Sequence, residues 1–513
     1  MSFEDLRTKF TWKMISDPLY GYVYFNVEVE EPIINSVLLQ RLRYIMQLQT
    51  AHLVYPGAVH TRFQHSLGVM HLAGLMAEDA VHKIIALYGK EALEGLDPLV
   101  IIQAARLAGL LHDVGHAAFG HAFEYAVLWR GKAPAELSNH EKIGRFLIKH
   151  VIGEYVEKLD RDLGGLKELL ESIMGEPEPK GVFKIFRWLV REGYYPADVL
   201  DFLKRDSYYA GTAEYGSIMH ERLYKNTYPL INGKDAGLVL DRIALGEFKQ
   251  YMRAKASMYQ HVYYHSVCRS FDKILYDILE ELNHELNLLD RVEAILRGDV
   301  RGYLELTDAF FYTVMMKKAL YEDTRTGRLC RKLMIERKPE WKRVGREVSI
   351  SATKGPEALR VVLKLVLDSN YKKSSINRVE NALTEDLKKH GLSEEDVWID
   401  VVEITPLPRS TIYPSGEEPE TKLRLYLGKR LGKKLVVSEE LDIASEDLPL
   451  EVSFRVYVPR TKYSLDLEAS VTRALIDAVS STFGIDIAKF GSILKSVYEE
   501  YRGLDYSRVR ITA

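Results

Sequence analysis

The sequence predicts a mainly α-helical core over about residues 1–340, followed by an α+β region over residues 341–513. Three observations carry this. Apolar residues recur at helical spacing through about residue 300. The segment Leu99 to Leu111 is apolar nearly all round, the mark of a buried central helix. Beyond about residue 345 the pattern turns to alternating, β-branched stretches, VWIDVVEI, KLRLYLG and EVSFRVYV, separated by turn-forming strings such as TPLPRS and YPSGEEPE.

Each element has a local signal. Pro98 precedes the central helix, where a first turn tolerates proline. Lys249 to Leu282 reads as one long helix, since no Gly or Pro interrupts it. Ser138 or Asn139 can cap a helix that presents His140. Pro196 fits the first turn of another helix, on which Asp198, Phe202, Arg205 and Asp206 share one face. Taken alone, that face reads as solvated charge. A last helix is expected from Leu467 to Phe483.

Composition narrows the function classes. A chain of 513 residues is too long for one ordinary core. With 47% hydrophobic and 28% charged residues it is globular rather than disordered. A net charge of −3 gives no global basic field for nucleic acid or an acidic membrane, so a polyanionic substrate needs a local cationic site. No apolar run approaches the ~20 residues of a membrane span, and the opening MSFEDLRTKF lacks a signal-peptide layout. The expectation is a cytoplasmic protein that binds neither membrane nor nucleic acid. Cys268 and Cys330 are the only cysteines, which excludes a disulfide framework and a multi-cysteine zinc cluster. Any metal must be held by His and carboxylate.

The histidines supply that chemistry. They crowd between residues 52 and 140, most densely in LAGLLHDVGHAAFGHAFE, residues 107–124. An apolar helix there runs into His112 and Asp113, then His116, His121 and Glu124. Adjacent imidazole and carboxylate at the end of a buried helix can turn toward one ion, and the pair suits Fe, Mn, Ni or Zn. Gly115 and Gly120 permit tight turns that return further histidines to the same place. Two other segments can complete a ligand set: HTRFQHSLGVMHLAG, in which Arg62 and His65 can share a helix face, and the helix carrying Asp198.

The ordered strings HTRFQHSLG, LLHDVGHAAFGH and DVLDFLKRD, together with RLRYIMQL and MYQHVYYHSV, resemble the HD-domain deoxynucleoside triphosphate triphosphohydrolases. That group includes the mammalian enzyme with SAM and HD domains; no SAM domain is expected here. The resemblance spans about residues 15–340 and implies an HD-domain helical core. It implies that His65, His112, Asp113 and Asp198 ligate a divalent transition metal, with a place for a second ion such as Mg bridged through Asp113. His116, His121, Glu124 and His140 would surround the phosphates, with His121 or His140 as general acid. Gln47 and Asp206 would hold the sugar 3′-hydroxyl, and Arg62 and Tyr259 would contact phosphate or base. Three positions depart from the family pattern: Thr61, Val199 where relatives carry Arg or Lys, and Phe202 where they carry Tyr.

The implied reaction is hydrolysis of a deoxynucleoside triphosphate to deoxynucleoside and triphosphate. The alternatives are another nucleotide or phosphoester as substrate, or a nucleotide sensor without catalysis. The resemblance also implies a homo-oligomer, with the C-terminal region contributing to the interface, and a nucleotide activator contacted by Gln40 and Arg43. Asn35 stands where the best-studied relatives have a carboxylate that selects guanine, so relaxed selectivity is expected.

Overall fold

The computed structural model describes residues 9–175, 179–232, 235–405, 424–431, 434–442 and 450–485. The chain forms two compact units, one of Met1–Pro339 with Arg424–Asp442, the other of Glu340–Leu423 with Ile443–Ala513.

The first unit is built on two long helices, α1 (Arg62–Tyr88) and α2 (Pro98–Leu111), packed along one another. Every residue of α2 is buried, as its all-round apolar sequence requires. Pro98 takes its first turn, and the Asp97 side chain accepts from the Leu99 amide as N-cap. Helix α1 begins with a capping box between Thr61 and Gln64, which sets Arg62 and His65 in its first turns. Helix α3 (His140–Leu147) is capped by Asn139, whose side chain accepts from the Lys142 amide. Helix α4 (Ala197–Ala210) follows Pro196 and lies against α1.

Three features of this unit differ from the sequence expectation. The long helix expected over Lys249–Leu282 is two helices, α5 (Leu245–Met258) and α6 (Ser266–Leu286). A π-helical turn over Tyr259–Tyr263 ends α5, and His265 starts α6 as its N-cap, its ring accepting from the Val267 amide. A histidine can cap a helix without the Gly or Pro that would announce a break. The charged face of α4 is largely withdrawn from solvent: Arg205 and Asp206 are at most 2% exposed, and the Asp198 side chain is 27% exposed. The helical reading of the first 300 residues also omitted the hairpin of β1 (Trp12–Asp17) with β2 (Gly21–Asn26), and that of β3 (Thr227–Asn232) with β4 (Asp235–Asp241). Strands β1 and β2 pair in register from Trp12↔Asn26 to Asp17↔Gly21, which brings Asp17 and Tyr20 to the turn end. Helix α7 (Asp308–Tyr321) completes the surroundings of the site.

The second unit has a three-stranded antiparallel sheet of β5 (Trp341–Ser351), β6 (Trp398–Ile404) and, centrally, the strand Glu451–Pro459. Its helices are α8 (Pro356–Leu367), α9 (Ser369–Leu387) and α10 (Asp466–Phe483). The remaining hairpin, β7 (Arg424–Leu431) with β8 (Lys434–Asp442), does not join this sheet. It extends the first unit's sheet in the order β3-β4-β7-β8, so residues 341–513 are not one contiguous region. The expected turn strings TPLPRS and YPSGEEPE lie largely outside the described residues.

Candidate metal centre and active site

His65, His112 and Asp198 come together from three helices. Their donor atoms are mutually close: His65 Nε2 lies 3.2 Å from His112 Nε2 and 3.1 Å from Asp198 Oδ1, and His112 Nε2 lies 3.5 Å from Asp198 Oδ1. The tautomers follow from the other ring nitrogens. His112 Nδ1 lies 2.8 Å from the Gly109 carbonyl oxygen, so it must donate. His65 Nδ1 lies 2.8 Å from Asp201 Oδ2 and donates as well. Both Nε2 lone pairs therefore face one another and a carboxylate. Such spacing is that of atoms sharing one ion at about 2.1 Å.

The electrostatics ask for positive charge at the same point. Burial alone would lower the His65 pKa, but the carboxylates of Asp198, Asp201 and Asp113 outweigh it and push it up to about 10. His112 is raised in the same way, Asp113 and Asp198 overcoming its desolvation. Burial would raise Asp198 itself, yet the two imidazoles hold it far below the usual carboxylate range. A divalent cation satisfies all three donors at once, so these residues fit a metal.

Asp113 stands beside this group, with Oδ1 3.3 Å from His112 Nε2 and Oδ2 3.9 Å from His65 Nε2. Its Oδ2 also accepts from Arg62 Nη1 at 2.5 Å. Asp113, His116 and His140 form a second cluster able to hold an ion, and His121, Glu124 and His140 a third. Rings of His116 and His140 stack at 3.7 Å. Glu124 organises the outer cluster: Oε1 accepts from the His140 amide at 2.8 Å and from His140 Nδ1 at 2.5 Å, and Oε2 accepts from His121 Nδ1 at 2.9 Å. Burial would raise Glu124, but these imidazoles keep it ionised, well below the ordinary range. His116 is driven the other way: burial first, then Arg62 and the neighbouring imidazoles, hold it neutral. The His121 side chain is 72% exposed, so the cluster opens to solvent there.

The two glycines act differently. Gly120 has φ +51, and a side chain there would strike the Arg62 guanidinium. Gly115 is not in the left-handed region. Its lack of Cβ lets α3 approach, since a methyl group would run into the His140 carbonyl and the Gly144 backbone. The non-glycine Phe119 holds φ +58, its amide donating to the buried Asp308 carboxylate.

Gln47 and Asp206 are linked through His60: the Gln47 amide donates to the His60 carbonyl, and His60 Nε2 lies 2.7 Å from Asp206 Oδ1. Asp206 Oδ2 accepts from the Tyr263 hydroxyl at 2.7 Å, and the Tyr263 ring lies 5.1 Å from that of Tyr259. The Gln47 side-chain oxygen is buried without a partner. Gln40 and Arg43 meet one another instead, Arg43 Nε donating to Gln40 Oε1 at 2.8 Å, with the guanidinium 3.6 Å over the Phe63 ring.

Sequence reasoning missed two supports. Asp201, besides taking the His65 proton, accepts from Tyr20 and from Arg205, and Arg205 reaches Asp17 at 2.8 Å. Arg41 donates to the carbonyls of Val114 and His116, fixing the loop after Asp113. Asp201 had a signal, its place one turn beyond Asp198. Arg41 had none.

The family model described as HD domain matches residues 62–197, ending one residue before Asp198. More particularly, the chain is a relative of the SAMHD1-like HD proteins. It is 26% identical over 331 residues to the deoxynucleoside triphosphate triphosphohydrolase SAMHD1 of Homo sapiens, 60% of this chain and 51% of that one. It is 29% identical over 269 residues to the uncharacterized protein YwfO of Bacillus subtilis (strain 168), 52% of this chain and 55% of that one. The chain spans little more than half the length of the curated relatives it matches. Among solved structures, a hypothetical protein from Aquifex aeolicus aligns with a TM-score of 0.60 at 25% identity, covering 91% of this chain and all of that one. No described helix is long and apolar enough to cross a membrane.

Proposed function

We propose that this protein is a metal-dependent HD-domain phosphohydrolase that converts deoxynucleoside triphosphates to deoxynucleoside and triphosphate. The observation that carries it is the convergence of His65, His112 and Asp198 on one point, with the Glu124-organised histidines alongside. The dNTP substrate is supported by the relatives that act on it and by the Gln47–His60–Asp206 wall, which suits a sugar hydroxyl.

His65, His112, Asp113 and Asp198 would hold the metal, which when bound lowers the pKa of a water and polarises a phosphoryl oxygen. The ionised Glu124 fixes the rings of His121 and His140 through hydrogen bonds to both Nδ1 atoms. One of them then passes its proton to the departing 5′-oxygen. Neutral His116, its ring stacked on that of His140, directs Nε2 toward Asp113, 3.6 Å away, on the side where substrate would lie. Arg62 orients Asp113 and extends toward a phosphate. Tyr259 lines the sugar and base side.

Product identification tests this reading. Metal-loaded protein given each of the four dNTPs is expected to release deoxynucleoside and intact triphosphate, seen by anion-exchange chromatography. Diphosphate as first product means a different reaction, and turnover of some other phosphoester alone means a different substrate. Within the same assay, Glu124→Gln is expected to lower kcat by ~10²–10⁴-fold, the ordinary worth of general-acid help. Metal content should stay at the wild-type level, because Glu124 is outside the group of His65, His112 and Asp198. Unchanged kcat would remove the proton-transfer role.

An oligomer, and activation by a nucleotide at Gln40 and Arg43, belong to the same proposal. Both positions lie in the segment that Arg41 ties to the catalytic loop.

A further inference from the structure

Most buried cations among the described residues are paired with a carboxylate, and Arg41, which is not, donates to the Val114 and His116 carbonyls. Among the described residues Arg62 meets Asp113, Arg106 meets Glu30, Arg205 meets Asp201 and Asp17, and Lys83 donates to Asp79 and to backbone carbonyls. Lys255 is the exception. It is 6% exposed, yet no hydrogen bond or ion pair joins it to another described residue, and its Nζ, 6.0 Å from the Tyr259 ring, is not sealed from solvent. Withdrawing an ammonium from water without a counter-charge is unfavourable. A chain that retains one there has a reason outside its own contacts.

Position supplies the reason. Tyr251, Lys255, Tyr259 and Tyr263 recur every four residues along α5 and its π turn, so they share one face. That face meets α4: the Tyr263 hydroxyl holds Asp206, and its ring packs at 6.2 Å on Phe202. The carboxylate acting on Lys255 is Asp198, one of the three converging metal-site residues. One turn before Lys255, the Tyr251 hydroxyl is also buried with no partner. Two unpartnered polar groups thus stand on one helix face beside the metal centre. Helix α4 offers no cation next to Asp198, because Val199 follows it and Arg205 is committed to Asp201 and Asp17.

We propose that Lys255 is a phosphate-binding residue of this site, its ammonium taking an anionic oxygen of the substrate's triphosphate. The inference rests on the phosphohydrolase reading above. Burial pulls the Lys255 pKa down to about 8, with Asp198 partly offsetting it. A triphosphate oxygen would supply the counter-charge that the fold withholds.

The test is titration of metal-loaded protein with inorganic tripolyphosphate, followed by calorimetry, for wild type, Lys255→Met and the exposed Arg253→Met on the same helix. Lys255→Met is expected to weaken binding at least ~10-fold, while its thermal midpoint stays level or rises because an unpaired buried charge is gone. Arg253→Met should match wild type. Equal affinity in Lys255→Met overturns the inference, as does absence of tripolyphosphate binding to wild type. A loss of affinity that comes with a lower midpoint also overturns it, since that marks a structural lysine. If wild type binds tripolyphosphate through Lys255 but hydrolyses no dNTP, the substrate reading fails and the phosphate-binding role stands.

Discussion

Replacing His112 and Asp113 together by alanine is expected to abolish metal binding and to bring any phosphohydrolase activity of the proposed kind to background. The effect is large because the two residues act at one point from adjacent positions. His112 contributes one of only two imidazole nitrogens whose tautomer is fixed toward the centre, through its bond to the Gly109 carbonyl. Asp113 adds carboxylate oxygens 3.3 Å and 3.9 Å from the two Nε2 atoms. Removing both leaves His65 and Asp198, too few ligands for a closed or catalytic site. The helical core should survive, since α2 is anchored by apolar burial along its whole length. Some stability will go, because Arg62 loses its carboxylate and stays buried. The measurement is metal content by elemental analysis beside initial rates and far-UV circular dichroism. A variant with native dichroism that remains fully active after chelation would mean that the chemistry does not run through this centre.

Asp201→Asn is expected to weaken metal binding by ~10–100-fold, although Asp201 lies outside the converging group. Asp201 accepts the His65 Nδ1 proton and so keeps the Nε2 lone pair aimed at the centre. The amide keeps the shape but loses the charge, and its nitrogen can present a donor to a donor. The same change leaves Arg205 with Asp17 alone in a fully buried position. Breaking a buried pair in this way typically costs about 3–5 kcal/mol. Metal affinity read by competition with a chromophoric chelator, and stability read by denaturant titration, separate the two effects. Tyr20→Phe, which removes one hydrogen bond to Asp201, should lie in the same direction at about 1 kcal/mol. Wild-type metal affinity in a folded Asp201→Asn protein would refute the orienting role.

The local part of the site could be read from residues adjacent in the chain. His112, Asp113, His116, His121 and Glu124 stand within thirteen positions at the end of an apolar helix, and their proximity in space follows from covalent connection and one tight loop. Asp198 was different. On its own helix it belongs to what reads as a charged surface stripe, and only resemblance to a family drew attention to it. The structure buries Arg205 and Asp206 of that stripe, and Asp201 beside it, because their partners come from elsewhere: Asp17 and Tyr20 from the β1–β2 turn, His60 from the chain before α1, and Tyr263 from the π turn. No periodicity within α4 announces partners supplied by distant segments. The break between α5 and α6 was hidden for a related reason, since a histidine ring did the capping that Gly or Pro usually signals. Strand β7 was legible from the alternation in KLRLYLG and β8 was not read, and the pairing of β7 with β4 rather than with the C-terminal sheet is a choice among edges that alternation cannot make.

The sequence by itself therefore determined the buried central helix, the change from helical to alternating pattern, and the histidine-rich loop with its adjacent carboxylates. These rest on local spacing and on the partition of apolar side chains from water. The tertiary structure decided which charges are buried and with whom: Asp201 behind His65, Arg205 behind Asp201, Arg41 on the loop after Asp113, and Lys255 left without an ion pair near Asp198. The physical reason is that the cost of a buried charge depends on partners within a few ångströms in space, and those partners lie up to 188 residues away in the chain.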